Sequence, residues 1–308
     1  MGTLIARLTA AVRADGGHGD GICVRTLKAL DAVADAEELD AVTEPLGRAV
    51  RALPLGRLRG LLHGRPLGHP LHPALVQIPV GAWISAGVLD LVPGSERAAR
   101  RLVAVGVVTA APAAWTGWVD WAELHPRQMR TGLLHAASIA AAVGLYGASW
   151  AVRSRGRLGL GRTLGFAGLA AVGTGAALGG HLAYRQAVGA NKTESVALVV
   201  TPGWHTLGSV EEFATGEGVR RMVGEVPVLV VRESHDVFHV LADRCSHFSG
   251  PLSQGEIADG CVTCPWHGCV FRLSDGWNVG GPATAPQPAF ATRTDGHGNL
   301  QVRLPAAG

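Results

Sequence analysis

The sequence predicts an α+β multidomain chain, a four-helix transmembrane bundle followed by an all-β domain. Three observations predict it. Four apolar spans of membrane-crossing length run between residues 74 and 184. Short β-branched segments broken by turn residues begin near Ser195. Within that β-rich part, two Cys and two His recur as C-x-H and C-x-x-H, from Cys245 to His267.

Composition agrees. The 308 residues are enough for two domains. Only 17% are charged and 47% are hydrophobic, low in charge for a soluble protein. The net charge of +3 is small and dispersed, which argues against nucleic-acid binding. The five Cys form no secreted disulfide pattern; Cys23, Cys261 and Cys269 read as free thiols, which favours a reducing compartment.

Residues 1–65 read as a soluble, amphipathic helical region. Met1–Val12 makes a poor signal peptide, because Arg7 and Arg13 flank no continuous apolar core, and Asp15–Asp20 is a Gly-rich break. From Thr26 to Val42 apolar residues recur at helical spacing, predicting a helix that ends near Pro45. Leu46–Leu62 mixes Leu and Val with Arg48, Arg51, Arg57 and Arg59. It reads as a helix on the membrane surface or as a solvated basic helix.

Residues 66–186 hold the four spans: Ala74–Val92, Leu102–Ala122, Thr131–Val152 and Thr163–Tyr184. Leu102–Val119 and Thr163–Gly180 carry no charge, unlike helices of a soluble bundle. The fourth span contains Gly161/Gly165 and Gly175/Gly179, small-residue pairs that permit close helix approach within the chain or in a homo-oligomer. Trp115, Trp118 and Trp121 suit packing or interfacial anchoring. Residues 187–194 form a polar linker, and 195–305 the β-rich domain, with strands expected at Val196–Val200, Val226–Arg232 and Val237–Leu241.

Thiolate and imidazole are ligands for soft and borderline metals. Two Cys and two His also make a tetrahedral zinc site, but zinc sites usually order them as a Cys pair followed by a His pair. Here they interleave, with sixteen residues between His247 and Cys264. In this, and in Gly250-Pro251-Leu252, Gly268, Asp275-Gly276 and Gly281-Pro282-Ala283, the stretch resembles the Rieske [2Fe–2S] family. The resemblance implies an antiparallel β-sandwich with a cluster-binding subdomain, and a cluster held by Cys245, His247, Cys264 and His267. It places Trp266, Gly268, Cys269 and Pro282 around that cluster, with Trp266 and Pro282 shielding it from water. Rieske proteins of cytochrome bc complexes carry a disulfide where this chain has Gly250 and Trp266, and commonly a Ser where it has Cys269. With fewer donors to the reduced cluster, a potential low in the Rieske range is expected. The Cys264-Pro265-Trp266-His267-Gly268 string is similar to Rieske ferredoxins and oxygenase components. The 41 residues after His267 are too few for a mononuclear-iron oxygenase domain, so the expectation is electron transfer without a catalytic site in this chain.

A second resemblance spans His69–Arg185. His69-Pro70-Leu71-His72-Pro73, Pro79-Val80-Gly81 and a His early in the third span look like a family of small four-helix bacterial membrane proteins of unknown function. Alternating crossings put His72, His125, His135 and His181 at one membrane face, the face that carries both termini. They read either as a redox site for haem, a metal or quinone, or as interfacial His bonding backbone and headgroups. The Arg and Lys bias between the two sides is small. Lack of an export signal and of paired Cys points to a bacterial cell-membrane protein with a cytoplasmic cluster domain.

Three functions follow. One is a membrane-tethered ferredoxin serving a reductase, oxygenase or respiratory component. The second is a quinone- or haem-linked membrane oxidoreductase. The third is a redox sensor.

Overall fold

The computed structural model describes the backbone of residues 22–305 and side chains from Thr26. Met1–Val12, the break at Asp15–Asp20 and the Cys23 side chain lie outside the described residues. The chain forms two units. One comprises the residues up to Leu55 with Leu71–Val188; the other comprises Gly56–Pro70 with the residues from Gly189 on.

The first unit is helical. Helices α1 (Ile22–Ala34) and α2 (Asp40–Arg51) replace the single helix expected over Thr26–Val42. The break precedes Pro45, which lies inside α2. Its cause is tertiary. Arg130 donates to the Ala34 carbonyl at 2.9 Å, where α1 ends, and to both Asp40 carboxylate oxygens, where α2 begins. The basic stretch Leu46–Leu62 is also divided, between α2 and α3 (Arg57–Leu62), and α3 belongs to the second unit.

Four helical spans follow: His72–Leu89 (α4, His72–Leu75, continuing as α5, Gln77–Leu89), α6 (Glu96–Trp121), α7 (Pro126–Ser154), and α8 (Leu158–Gly180) extended by a π turn at His181–Arg185. Each is long and apolar enough to cross a membrane. Their outward residues include Val88, Val105, Val108, Trp150 and Phe166, all exposed. The interior is built by glycines opposite bulk. Gly106 receives the Trp83 indole, which stacks on Tyr146 at 4.4 Å. Along α8, Gly161 and Gly165 face Arg153, Gly168 faces Tyr146, Gly175 faces Ile139 and Gly179 faces His135. The glycine stripe is therefore occupied by α7 of the same chain. Asp90 and Arg153, both buried, form a bidentate pair at 2.6 and 2.5 Å, and Ser149 and the Gly161 carbonyl satisfy the guanidinium further. Such completion is what a buried charge pair requires.

The second unit is antiparallel β. A six-stranded sheet runs β1-β10-β9-β4-β3-β2, from β1 (His205–Ser209), β2 (Gly218–Val223), β3 (Val226–Arg232), β4 (Phe238–Ala242), β9 (Ala289–Thr294) and β10 (Asn299–Arg303). Between β4 and β9 the chain makes a four-stranded meander, β5 (Glu256–Ala258), β6 (Cys261–Thr263), β7 (Val270–Arg272) and β8 (Asn278–Gly280). Strand β3 is a near-continuous apolar run because both its faces are buried. Val228 and Val230 enter one core with Phe213, Val240 and Leu300. Leu229 and Val231 enter another with Leu252, Val262, Phe271 and the thiols of Cys245, Cys264 and Cys269.

Val196–Val199, expected as a strand, is a helical turn, α9. The Asn191 side chain accepts the Thr193 N–H, and Val196 N–H donates to the Thr193 carbonyl. Turn chemistry upstream thus overrides the β-branched composition.

Candidate metal centre

Two loops build the tip of the second unit. The first leaves β4 at Asp243 and returns at Leu252, whose N–H donates to the Asp243 carbonyl at 2.8 Å. Within it Ser249 N–H donates to the Cys245 carbonyl, and Cys245 N–H donates to the Gly250 carbonyl. Ser249 takes φ +62°, which a side chain tolerates only when local hydrogen bonds fix the turn. The second loop joins β6 to β7. It is closed by Cys264 N–H to the Cys269 carbonyl at 2.8 Å and by Gly268 N–H to the Cys264 carbonyl. Gly268 has φ +65°, so glycine is needed to turn the chain straight after His267.

The loops meet at Gly250. A Cβ there would lie 2.8 Å from Cys264 Sγ and 3.1 Å from the Trp266 ring. A third segment supports the second loop: a Cβ at Gly281 would strike the backbone of Gly268 and Cys269, and the following Pro282 is buried. Trp266, expected to shield the centre, is half exposed. It lies across Gly250 and keeps one face open.

The four motif residues divide into two pairs. Cys245 and Cys264 are buried, hydrogen-bonded neighbours. The His247 and His267 rings stand 5.0 Å apart, perpendicular, and both contact Phe248. Among the described residues no three His, Cys, Asp or Glu side chains are grouped to hold a single metal ion. A thiol pair beside an imidazole pair is instead the donor division of a two-iron centre. The facing Cys245 thiol and burial push the Cys264 thiol far above its ordinary range. Cys245, although favoured by its bond with Cys264, is pushed up to about 12 by Cys269 and burial. Two thiolates at such depth require a neighbouring cation, so the donor set fits an iron cluster.

The motif's spacing did not reveal what clamps the first loop. Gln287 is buried; its Oε1 accepts Ser246 N–H at 3.0 Å, and its Nε2 donates to the Ala242 and Arg244 carbonyls. Ser246 Oγ donates to the Ala285 carbonyl. Asp243, also buried, accepts Ser253 N–H and pairs with Arg220 at 3.3 Å. In Pro286-Gln287-Pro288 the only available signal was a polar residue between two prolines. Lys192 joins the same surface: its N–H donates to the Ser246 carbonyl, and its ammonium lies 5.6 Å from the Phe248 ring centre.

In the helical unit, the four histidines have different surroundings. His72 and His135 face each other, ring centres 6.2 Å apart. His125 is the N-cap of α7, its N–H donating to Gln128, and burial lowers its pKa from the ordinary value. His181 is buried on the π turn, within electrostatic reach of the Arg185–Asp31 pair.

Known proteins match both units. Residues 203–291 match the model of the Rieske [2Fe-2S] domain, and residues 68–192 match DUF2231, described as a predicted membrane protein. The anthranilate 1,2-dioxygenase ferredoxin subunit of Burkholderia cepacia is 35% identical over 100 residues, 32% of this chain and 92% of that subunit. The 3-phenylpropionate/cinnamic acid dioxygenase ferredoxin subunit of Escherichia coli K12 is 31% identical over 99 residues, covering 32% of this chain and 91% of that subunit. Apoptosis-inducing factor 3 of Mus musculus is 35% identical over 71 residues, 23% of this chain and 12% of that protein. With its paired donors, and with a ferredoxin subunit matched over nearly its whole length, the chain belongs to the Rieske [2Fe–2S] family, its cluster-binding domain joined to a preceding DUF2231 domain.

Proposed function

We propose that the protein is a membrane-anchored, ferredoxin-like electron carrier whose cluster is held by Cys245 and Cys264 on one iron and His247 and His267 on the other. The observation that carries this reading is the pairing of buried thiols with perpendicular imidazoles on two loops. The cluster, when bound, supplies one-electron oxidation and reduction. The protein residues provide position and exclusion of water. Gln287 and Asp243 hold the first loop, Gly281 and Pro282 back the second, and Phe248 lies against both imidazoles. The two His rings are only half buried, and with Trp266 they form the surface at which an electron passes to or from a protein partner. The names of the ferredoxin-subunit relatives support an oxygenase or a reductase as that partner. Four apolar helices and the DUF2231 match support the membrane anchor, and the low charge bias between the loops leaves the cytoplasm as the side that suits unpaired cysteines.

Electron paramagnetic resonance of the reduced full chain tests the centre. The expected spectrum is rhombic, with an average g below the free-electron value. Cys245→Ser and His267→Ala each abolish it. A colourless protein carrying stoichiometric zinc would overturn the reading. Protease treatment of inverted membrane vesicles tests orientation: the second unit is digested if cytoplasmic and protected if not.

The facing His72 and His135 rings favour a second reading, in which the bundle itself holds a redox group.

A further inference from the structure

A histidine in a hydrocarbon-spanning helix is costly, so its surroundings should explain it. His135 is the tenth residue of α7, about 14 Å along the helix from its start at 1.5 Å per residue. His72 begins α4, yet it reaches the Ala113 carbonyl, eight residues before the end of α6, or about 12 Å inside that end. His135 therefore lies inside its own span, and His72, the first residue of its span, packs its ring against α6 inside that helix's end.

Their arrangement repeats. His72 Nδ1 lies 2.8 Å from the Ala113 carbonyl on α6, and His135 Nδ1 lies 2.8 Å from the Gly175 carbonyl on α8. A carbonyl only accepts, so each Nδ1 carries the proton and each Nε2 is left with its lone pair. Neither Nε2 has a hydrogen-bond partner among the described residues. Holding an imidazole by Nδ1–H to a backbone carbonyl is how proteins orient histidines that bind metal through the other nitrogen. Each ring also has a glycine against it. A Cβ at Gly117 would lie 2.9 Å from His72 Cε1, and a Cβ at Gly179 would lie 3.4 Å from His135 Cε1. All four spans thus contribute: two supply rings, and two supply the carbonyl and the glycine.

The spacing narrows the ligand. With metal–nitrogen bonds of about 2 Å and about 1 Å more to each ring centre, imidazoles on opposite sides of one metal put their centres about 6 Å apart. The observed separation is 6.2 Å. No third His, Cys, Asp or Glu side chain joins them among the described residues, so a bare ion would lack ligands. A metal that brings four equatorial nitrogens and needs two axial ones fits. Both rings are partly exposed, and they stand perpendicular to each other, at 87°.

We infer that His72 and His135 are the axial ligands of a haem iron held inside the four-helix bundle. The iron takes up one electron from a reductant, passing from ferric to ferrous with both imidazoles retained. His125 and His181 are outside the ligand pair.

The test uses the full chain, purified in detergent from haem-replete cells. The expected result is about one haem per chain by pyridine haemochrome assay, with the sharp α band of six-coordinate low-spin iron on dithionite reduction. His72→Ala and His135→Ala each lose the low-spin spectrum, while His125→Ala and His181→Ala keep it. His135→Met guards against misfolding, since it keeps haem but moves the spectrum to that of a His/Met pair. The Rieske resonance is recorded on every sample, so loss of the cluster and absence of haem are read separately. A chain with an intact cluster signal and no bound haem overturns the inference, as does a low-spin haem that survives both alanine variants.

Discussion

Gln287 shows how much one side chain contributes to the cluster tip. It accepts one backbone N–H and donates to two carbonyls of the loop that carries Cys245 and His247, all in a buried setting. Gln287→Leu keeps the volume and removes three hydrogen bonds, leaving buried backbone groups unpaired. The expected cost is about 3 kcal/mol, with faster loss of cluster absorbance on heating the intact chain in detergent. Unchanged bleaching would show that the loop holds itself. The contrast with the motif is physical. Cys245, His247, Cys264 and His267 were legible because ligand chemistry restricts residue type and short arms restrict spacing. Gln287 lies twenty residues beyond His267, and its role exists only once β9 has brought it beneath the loop. Gly250 is an intermediate case. Its identity marked the absence of a cross-loop disulfide, but only the fold shows that a side chain there meets Cys264 Sγ.

At the scale of elements, helix existence was written in hydropathy while helix ends and pairings were not. The four spans were legible because crossing the hydrocarbon core demands length and low charge. The break between α1 and α2 was hidden because Arg130, ninety positions from Asp40, creates it. That pair predicts a pH dependence. The Arg130 guanidinium holds Asp40 below the ordinary carboxylate range, against the opposing effect of burial. A lowered folded-state pKa stabilises above the unfolded value of about 4 and loses that contribution as pH falls through the folded value. Acid should therefore detach α1 and α2 before it affects the spans, seen as proteolysis confined to the residues before Gly56. Asp40→Asn should abolish the pH dependence of that cleavage. The α7–α8 contact gives a second prediction. A Cβ at Gly168 would lie 2.9 Å from the Tyr146 ring. Gly168→Leu should cost about 1–3 kcal/mol through overpacking, read as a lower detergent-denaturation midpoint. The same change at Gly173, which faces open space, should be close to neutral.

The whole molecule joins two units whose chain segments interleave: the backbone passes between them at residues 55–56, 70–71 and 188–189. The sequence placed residues 1–65 in a region of their own, yet Gly56–Pro70 belongs with the β unit, where Arg65 donates to the Val279 carbonyl at 2.7 Å and His63 is buried. A basic, Leu-rich stretch of that kind looks like a membrane-surface helix, because periodicity cannot tell which apolar surface will cover it. The helical unit makes the opposite demand. Val108 is more than two-thirds exposed, and exposed large apolar residues recur on all four spans, a surface that suits a cover of lipid or detergent. If the proposed anchor holds, it would confine the cluster to the membrane plane, where a membrane partner would see it at a raised effective concentration. The full chain should therefore remain in the membrane pellet after an alkaline carbonate wash and need detergent for release, with its cluster resonance in the same fraction. Release by carbonate alone would mean that the four helices pack against protein rather than lipid, and the anchored carrier would have to be replaced by a soluble one.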